Sequence, residues 1–405
     1  MAGCLTWIHF GDLHVDEADG YEGLSRFRSL LTIAEAQMGR ESGGNIVDFA
    51  FLPGDNANHG TDDQYARIAD AMTTLGLPWH VLAGDHDFEP GDLTAMRAIT
   101  INLAPYAVTL NGYRCLFLDI VSAGDGGPDF RIDPDQRRWI ERELSAATAA
   151  GLRSAVFMHA YPGDLRDDPD GIAGLFAAHS VAFVDTGHTH YNELLNDGRV
   201  VYGATRSTGQ IEEGAPGFSV VTLDDGVPSW RFHAIDDPWP LVQITAPADR
   251  RLITDPDHLG HVPNGSFVVR AKIFGHPAPA EVFAQLDDRA AVAMTRNEAG
   301  LWEAAIDGAA DGLHRLRVCS DGSEDVIEIL VRAPRPADRP GPPRLKRNAP
   351  TALGRDVHAV GAWPERGIDG AQRGPNKIWS RLVIRMTSGH ALAARQMVSN
   401  GVPHT

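Results

Sequence analysis

Residues 4–14 read CLTWIHFGDLH, a short apolar run that ends in Gly11-Asp12-Leu13-His14, and the fold is decided by how this stretch is read. A brief apolar run bounded by a glycine predicts a buried strand. Asp12 and His14 follow it two residues apart, so in an extended segment both side chains project to one side and can share a cation. The same layout recurs four times downstream. IVDFAFL leads into Gly54-Asp55, PWHVLA into Gly84-Asp85-His86-Asp87, SAVFMH ends on His159, and VAFVDT leads into Gly187-His188-Thr189-His190. Polar groups collected past the carboxyl ends of strands mark the active edge of an α/β sheet.

YRCLFLDI, RVVYGA and FSVVTL complete the predicted strands, and LSRFRSLLTIAEAQM, TDDQYARIADAMTTLG, DPDQRRWIERELSAATAAG and GIAGLFAAHS read as helices between them. This alternation predicts a layered α/β catalytic domain over residues 1–237. From Leu241 onward LVQIT, SFVVRAKIF, VFAQLD, LWEAAID, HRLRVCS and DVIEILVRA recur without helices, so residues 238–333 are read as a small, immunoglobulin-like β-sandwich. Residues 334–350 form a Pro/Arg-rich linker, and residues 351–405 a basic C-terminal region whose fold the sequence leaves unassigned.

A chain of 405 residues exceeds one ordinary core, and 43% hydrophobic with 22% charged residues describes a soluble protein. It contains no apolar run of the roughly 18 residues a membrane span needs. The N-terminus lacks the charged and apolar regions of a secretory signal, so the expected location is the cytoplasm. Cys4, Cys115 and Cys319 are too scattered for a disulfide framework or a cysteine zinc site. The net charge of −18 is uneven: residues 331–405 carry 13 Lys and Arg against 4 Asp and Glu, leaving residues 1–330 with 23 against 50. An acidic body repels long nucleic acids, whereas the basic tail either docks on that body or touches a polyanion.

Taken singly, each polar fragment has an ordinary reading, since D-x-H and G-D turns are common and a lone strand-end histidine is more often a hydrogen-bonded core residue. Five of them in one domain-sized segment favour a metal centre. Its mixed carboxylate and imidazole donors suit Mn²⁺, Fe or Zn²⁺ better than Ca²⁺ or Mg²⁺. Asp55 is placed to bridge, one oxygen to each of two cations. Two adjacent cations deprotonate a bridging water, which makes the arrangement a hydrolytic site.

The order D-x-H, G-D, G-D-H-D, H and G-H-x-H resembles the pattern of the calcineurin-like metallophosphoesterase superfamily over about residues 5–235. The resemblance implies a central β-sandwich flanked by helices, with two divalent or trivalent metals (Mn²⁺, Fe²⁺/Fe³⁺ or Zn²⁺) at one end. It implies that Asp12, His14, Asp55 and His190 hold the first and that Asp55, Asp85, His159 and His188 hold the second. His86 is implied to contact the phosphate and protonate the leaving group, the alternative being that it only orients Asp85.

Asp85 stands where the family has Asn, and Asn58 where the phosphodiesterase branch has Asp in G-D-x-x-D. These opposite departures lead to the expectation that Asp85 ligates while Asn58 orients His86, with Asp87 as a further supporting residue. Asn58 as a simple turn cap is the alternative. VVYGATRSTGQ and GFSVVTLDDG look like the branch containing bacterial cyclic 3′,5′-AMP phosphodiesterases, with Arg206 either clamping a phosphate or lying on the surface. The expected activity is hydrolysis of a small phosphodiester, cyclic nucleotides among them. A metal-dependent nuclease acting on DNA or RNA through the basic tail, and a non-catalytic metal-binding scaffold, are the alternatives. The sandwich either closes over the cleft or mediates homodimerisation.

Overall fold

The computed structural model describes residues 3–38, 47–167, 169–332, 357–369, 374 and 384–386. Strands β1 (Cys4–His9), β2 (Phe49–Leu52) and β3 (Trp79–Val81) run parallel, with helix α1 (Glu22–Met38) between the first two and α2 (Asp62–Met72) between the second two. α3 (Thr94–Ile99) leads to the antiparallel pair β4 (Tyr106–Leu110) and β5 (Tyr113–Phe117). Then come α4 (Pro134–Ala149), β6 (Arg153–Phe157), α5 (Pro169–Ala178), β7 (Phe183–Thr186), β8 (Glu193–Asn196), β9 (Val201–Ala204), β10 (Gly217–Asp224) and β11 (Val227–Ala234). Two sheets result, one ordered β11-β10-β1-β2-β3 and the other containing β8-β9-β7-β6-β5-β4.

Period-two alternation along these strands explains why the sheets stack. Trp7, Phe49 and Phe51 on one sheet meet Phe117, Phe157 and Phe183 on the other, with Trp7 and Phe157 edge to face at 5.2 Å and Phe117 stacked on Phe157 at 4.5 Å. The intervening residues Ile8, Ala50, Leu52, Leu116 and Val156 point outward into a second core, closed by Phe27 and Leu31 of α1, Ile68 of α2, and Ile140 and Leu144 of α4. The helices start where the sequence provides caps. Thr61 and Gln64 form a reciprocal capping box at α2, and Asp133 accepts from the Asp135 and Gln136 amides at α4. The result is an α/β sandwich flanked by helices, and the loops after β1, β2, β3, β6 and β7 carry the polar motifs at the carboxyl ends of parallel strands.

Residues beyond β11 form two further sheets. β12 (Leu241–Ala246), β13 (Phe267–Phe274), β14 (Phe283–Leu286), β15 (Val292–Ala293), β16 (Thr295–Arg296), β17 (Trp302–Ile306), β18 (Gly312–Ser320) and β19 (Ser323–Val331) assemble as β12-β13-β17-β16 and β15-β14-β18-β19. Their apolar faces continue the core lined by Trp230 and Phe232 of β11. The linker 334–350 lies outside the described residues, as does most of the C-terminal region. Its described part includes β20 (Val357–Ala359), antiparallel to β8, and a turn closed by mutual backbone hydrogen bonds between Trp363 and Ile368. This part of the tail docks on the body. No helix among the described residues is long and apolar enough to cross a membrane.

Candidate metal centre

Six of the seven implied ligands fall into two overlapping groups of donor atoms, each group lying within 4.8 Å of one another: His14, Asp55 and His190, and Asp55, Asp85, His159 and His188. Asp55 belongs to both. Its two oxygens do not divide between the groups as expected, because Oδ1 accepts the His86 amide at 3.0 Å. Oδ2 faces both, 3.7 Å from His14 Nε2 and 3.5 Å from His159 Nε2. Asp12 lies beside the groups: its Oδ2 accepts the His188 amide at 3.0 Å and its Oδ1 is 3.8 Å from His159 Nδ1.

The imidazoles are aimed by their other nitrogens. His14 Nδ1 lies 3.1 Å from Asn58 Oδ1, leaving Nε2 to meet His190 Nε2 at 3.0 Å. His159 Nδ1 donates to the Pro53 carbonyl at 3.2 Å, leaving Nε2 3.4 Å from Asp85 Oδ1. An outer hydrogen bond that fixes tautomer and ring angle is how metal-binding histidines are held. His14, Asp55, His188 and His190 occupy the left-handed backbone region with φ between 40° and 66°. Such conformations cost of order 1–3 kcal/mol each and persist where surrounding structure over-determines them. The glycines ahead of the ligands permit this crowding: a Cβ on Gly84 would sit 2.1 Å from Asp55 Oδ1, and one on Gly54, at φ 124°, 2.4 Å from His159 Nδ1.

Asp12 Oδ1, Asp85 Oδ1, His159 Nε2 and His188 Nε2 are buried without a well-directed hydrogen bond. Buried polar atoms left without partners are costly, and cations fit this oxygen and nitrogen set. Burial pushes the Asp55 carboxyl up, yet the adjacent His159 and His14 imidazoles outweigh it and hold Asp55 below the usual carboxylate range. Burial likewise pulls His159 down, and Asp55, Asp85 and Asp12 overcome it and raise it well above an ordinary histidine.

His86 has its Nδ1 3.0 Å from the Asn58 carbonyl and 3.5 Å from Glu89 Oε1. Burial lowers its pKa, but Asp55, the Asn58 carbonyl, Asp85 and Glu89 together raise it above the ordinary value. Asn58 is therefore placed to orient His86, through its main chain. The Asn58 backbone, not its side chain, holds His86, while the side chain bonds His14 and donates to Asp16 Oδ2 at 2.8 Å. A carboxylate at position 58 would face Asp16.

Asp87, 1% exposed, accepts from the backbone amides of Gly84 and Ala57 at 2.9 and 2.8 Å and from Asn56. It ties the Asp55 and Asp85 loops together. Burial, then the Asp55 charge, push its pKa up to about 6. Arg206 is corrected as well. It is 4% exposed, and its guanidinium donates to the carbonyls of Glu213, Ala215 and Gly367, lies 3.8 Å from the Glu213 and Asp369 carboxylates and covers the Phe232 ring, so it is committed to structure and does not clamp substrate.

Several neighbours escaped the sequence reading. Gln210 Nε2 reaches His14 Nδ1 at 3.2 Å, Glu212 Oε1 lies 3.4 Å from His190 Nδ1, and Phe130 packs edge-on against His188 at 4.8 Å. Gln210 ends the stretch VVYGATRSTGQ and Glu212 lies just beyond it, but neither was singled out beside Arg206.

Residues 5–192 match the family model for calcineurin-like phosphoesterases. The chain is 25% identical over 193 residues to the 3′,5′-cyclic adenosine monophosphate phosphodiesterase CpdA of Escherichia coli (strain K12), covering 45% of this chain and 68% of that protein. It is 26% identical over 205 residues to a probable cyclic nucleotide phosphodiesterase of Fibrobacter succinogenes, covering 46% and 73%. Among solved structures it is similar to a dimetal phosphatase from Danio rerio, with a TM-score of 0.46 and 12% identity over 57% of this chain and 97% of that one. Residues 5–192, the stretch that carries all seven candidate ligands, thus match the calcineurin-like phosphoesterase family model as a domain.

Proposed function

We propose that the protein is a dinuclear-metal phosphodiesterase acting on small phosphodiesters, with cyclic nucleotides the first substrates to examine. The observation that carries this reading is the pair of donor groups meeting at Asp55 Oδ2. Asp12, His14, Asp55 and His190 would hold one cation, and Asp55, Asp85, His159 and His188 the other, as Mn²⁺, Fe²⁺/Fe³⁺ or Zn²⁺. When bound, such a pair neutralises phosphate oxygens and makes water a stronger nucleophile.

The protein's own groups supply the rest. With Nδ1 held by the Asn58 carbonyl, His86 has Nε2 available to the substrate and, when protonated, passes its proton to the departing alkoxide. Phe130 walls the His159–His188 side with an apolar ring. The two bacterial relatives are named for cyclic AMP and cyclic nucleotides, which supports that substrate class. The test is to strip the protein with chelator, restore it with Mn²⁺, Fe²⁺ or Zn²⁺, and assay bis-p-nitrophenyl phosphate and 3′,5′-cyclic AMP. Metal-dependent turnover of both is expected. Absence of turnover with every metal overturns the reading, and turnover of the nitrophenyl ester alone removes cyclic AMP.

A further inference from the structure

We propose that Asn192 and the C-terminal turn Trp363–Ile368 are positioning elements for the His188–His190 loop, so that residues far beyond the family match help form the metal centre. The inference rests on the metal-site reading above. His188 and His190 both hold left-handed backbone, with φ 66° and 63°, on one short loop, and this strain needs an external frame. Two residues after His190, the 1% exposed Asn192 supplies that frame with its backbone amide and both polar groups of its side chain. Its amide donates to Glu213 Oε2 at 2.8 Å, its Oδ1 accepts the Arg206 amide at 2.8 Å, and its Nδ2 donates to the Gly367 carbonyl at 2.7 Å.

The same carbonyl accepts Arg206 Nη2 at 2.9 Å. One C-terminal oxygen thus pins both the segment after His190 and the segment that leads to Gln210 and Glu212, the neighbours of His14 and His190.

The turn presenting that carbonyl is itself anchored. Arg366, 1% exposed, pairs with Asp325 of β19 at 2.6 Å and donates to the Trp230 carbonyl of β11 at 2.8 Å. Trp363 lies under the Arg251 guanidinium at 3.4 Å. Gly367 has φ 78°, and a Cβ there would meet Phe232 Cβ at 2.7 Å, so the carbonyl's position depends on glycine. Hydrogen bonds and adjacent chain positions therefore link Asp325 through Arg366, Gly367 and Asn192 to the loop that carries His190.

Loss of an outer partner of a metal-binding loop typically weakens metal affinity 10–100-fold. The experiment titrates Mn²⁺ into the chelator-stripped full chain by calorimetry for wild type, Asn192→Ala and Gly367→Ala, with circular dichroism and Tm as fold controls. Each variant is expected to bind cations about 10–100-fold more weakly while KM at saturating Mn²⁺ stays unchanged, and Asn192→Gln is expected to recover part of the affinity. Should Asn192→Ala fail to fold, Gly367→Ala, which alters no residue of the catalytic segment, decides alone. Folded variants with wild-type Mn²⁺ affinities overturn the inference and leave the metal centre intact. A wild-type chain that takes up no Mn²⁺, Fe²⁺ or Zn²⁺ overturns the proposed function itself.

Discussion

Replacing His86 by Gln isolates the proton-transfer step. Gln keeps a polar side chain of similar reach but cannot deliver a proton. His86 is anchored by the Asn58 carbonyl at 3.0 Å, its side chain is 32% exposed, and its ring centroid lies 4.7 Å from that of His14, so it stands at the rim of the donor groups. General acid catalysis contributes about 10²–10⁴-fold, or roughly 3–5 kcal/mol of barrier at 1.36 kcal/mol per tenfold. That contribution matters only when the leaving group is a poor one. His86→Gln should therefore lower kcat by about 10²–10⁴ on an alkyl phosphodiester but by far less on bis-p-nitrophenyl phosphate, whose nitrophenolate departs without a proton. Steady-state kinetics with both substrates at saturating metal measure the difference. Equal losses on the two substrates refute the general-acid role, and an unchanged kcat on the alkyl ester refutes it outright.

Gly84→Ala, by forcing a Cβ to 2.1 Å from Asp55 Oδ1, should abolish binding of the cation pair, which metal analysis of the purified variant checks. Arg206→Met should lower unfolding free energy by about 1–3 kcal/mol in a urea titration while leaving KM at saturating metal unchanged, since the guanidinium serves carbonyls and not substrate. His80, stacked on Phe117 at 4.3 Å, is pulled down to about 4 by burial. Its folded pKa lies below the unfolded value of about 6.5, so its contribution is present above pH 6.5 and lost as pH falls through 4. Metal-free His80→Phe should lose about 3 kcal/mol less than wild type over that interval in urea titrations, and parallel losses contradict the assignment.

The strands and the polar residues they bring together were legible because their information is local. Trp7 beside Ile8, or Phe49 beside Ala50, alternates inward and outward within a few residues, and G-D, G-D-H-D and G-H-T-H mark tight turns at strand ends. Strands β4 and β8 were less visible. Tyr106–Leu110 is only partly buried, and Glu193–Asn196 begins with a glutamate buried against Tyr161. Arg206 misled because sequence does not reveal on which side of a backbone a side chain departs. Its main chain runs beside the centre, while its guanidinium leaves toward a carbonyl 161 residues away. At Asn58 the motif identifies the residue but not whether its carbonyl or its amide meets His86. Nothing local in Trp363–Ile368 announced a link to His190, because that contact exists only after distant segments have packed.

Whether two cations share Asp55 is tested most directly by metal stoichiometry in reconstituted, desalted protein. Wild type should hold two ions per chain, Asp55→Asn should lose both, and His190→Ala should retain the one held by Asp85, His159 and His188. An Asp55→Asn protein that still holds two ions, or a wild type that holds only one under every loading condition, would contradict the account.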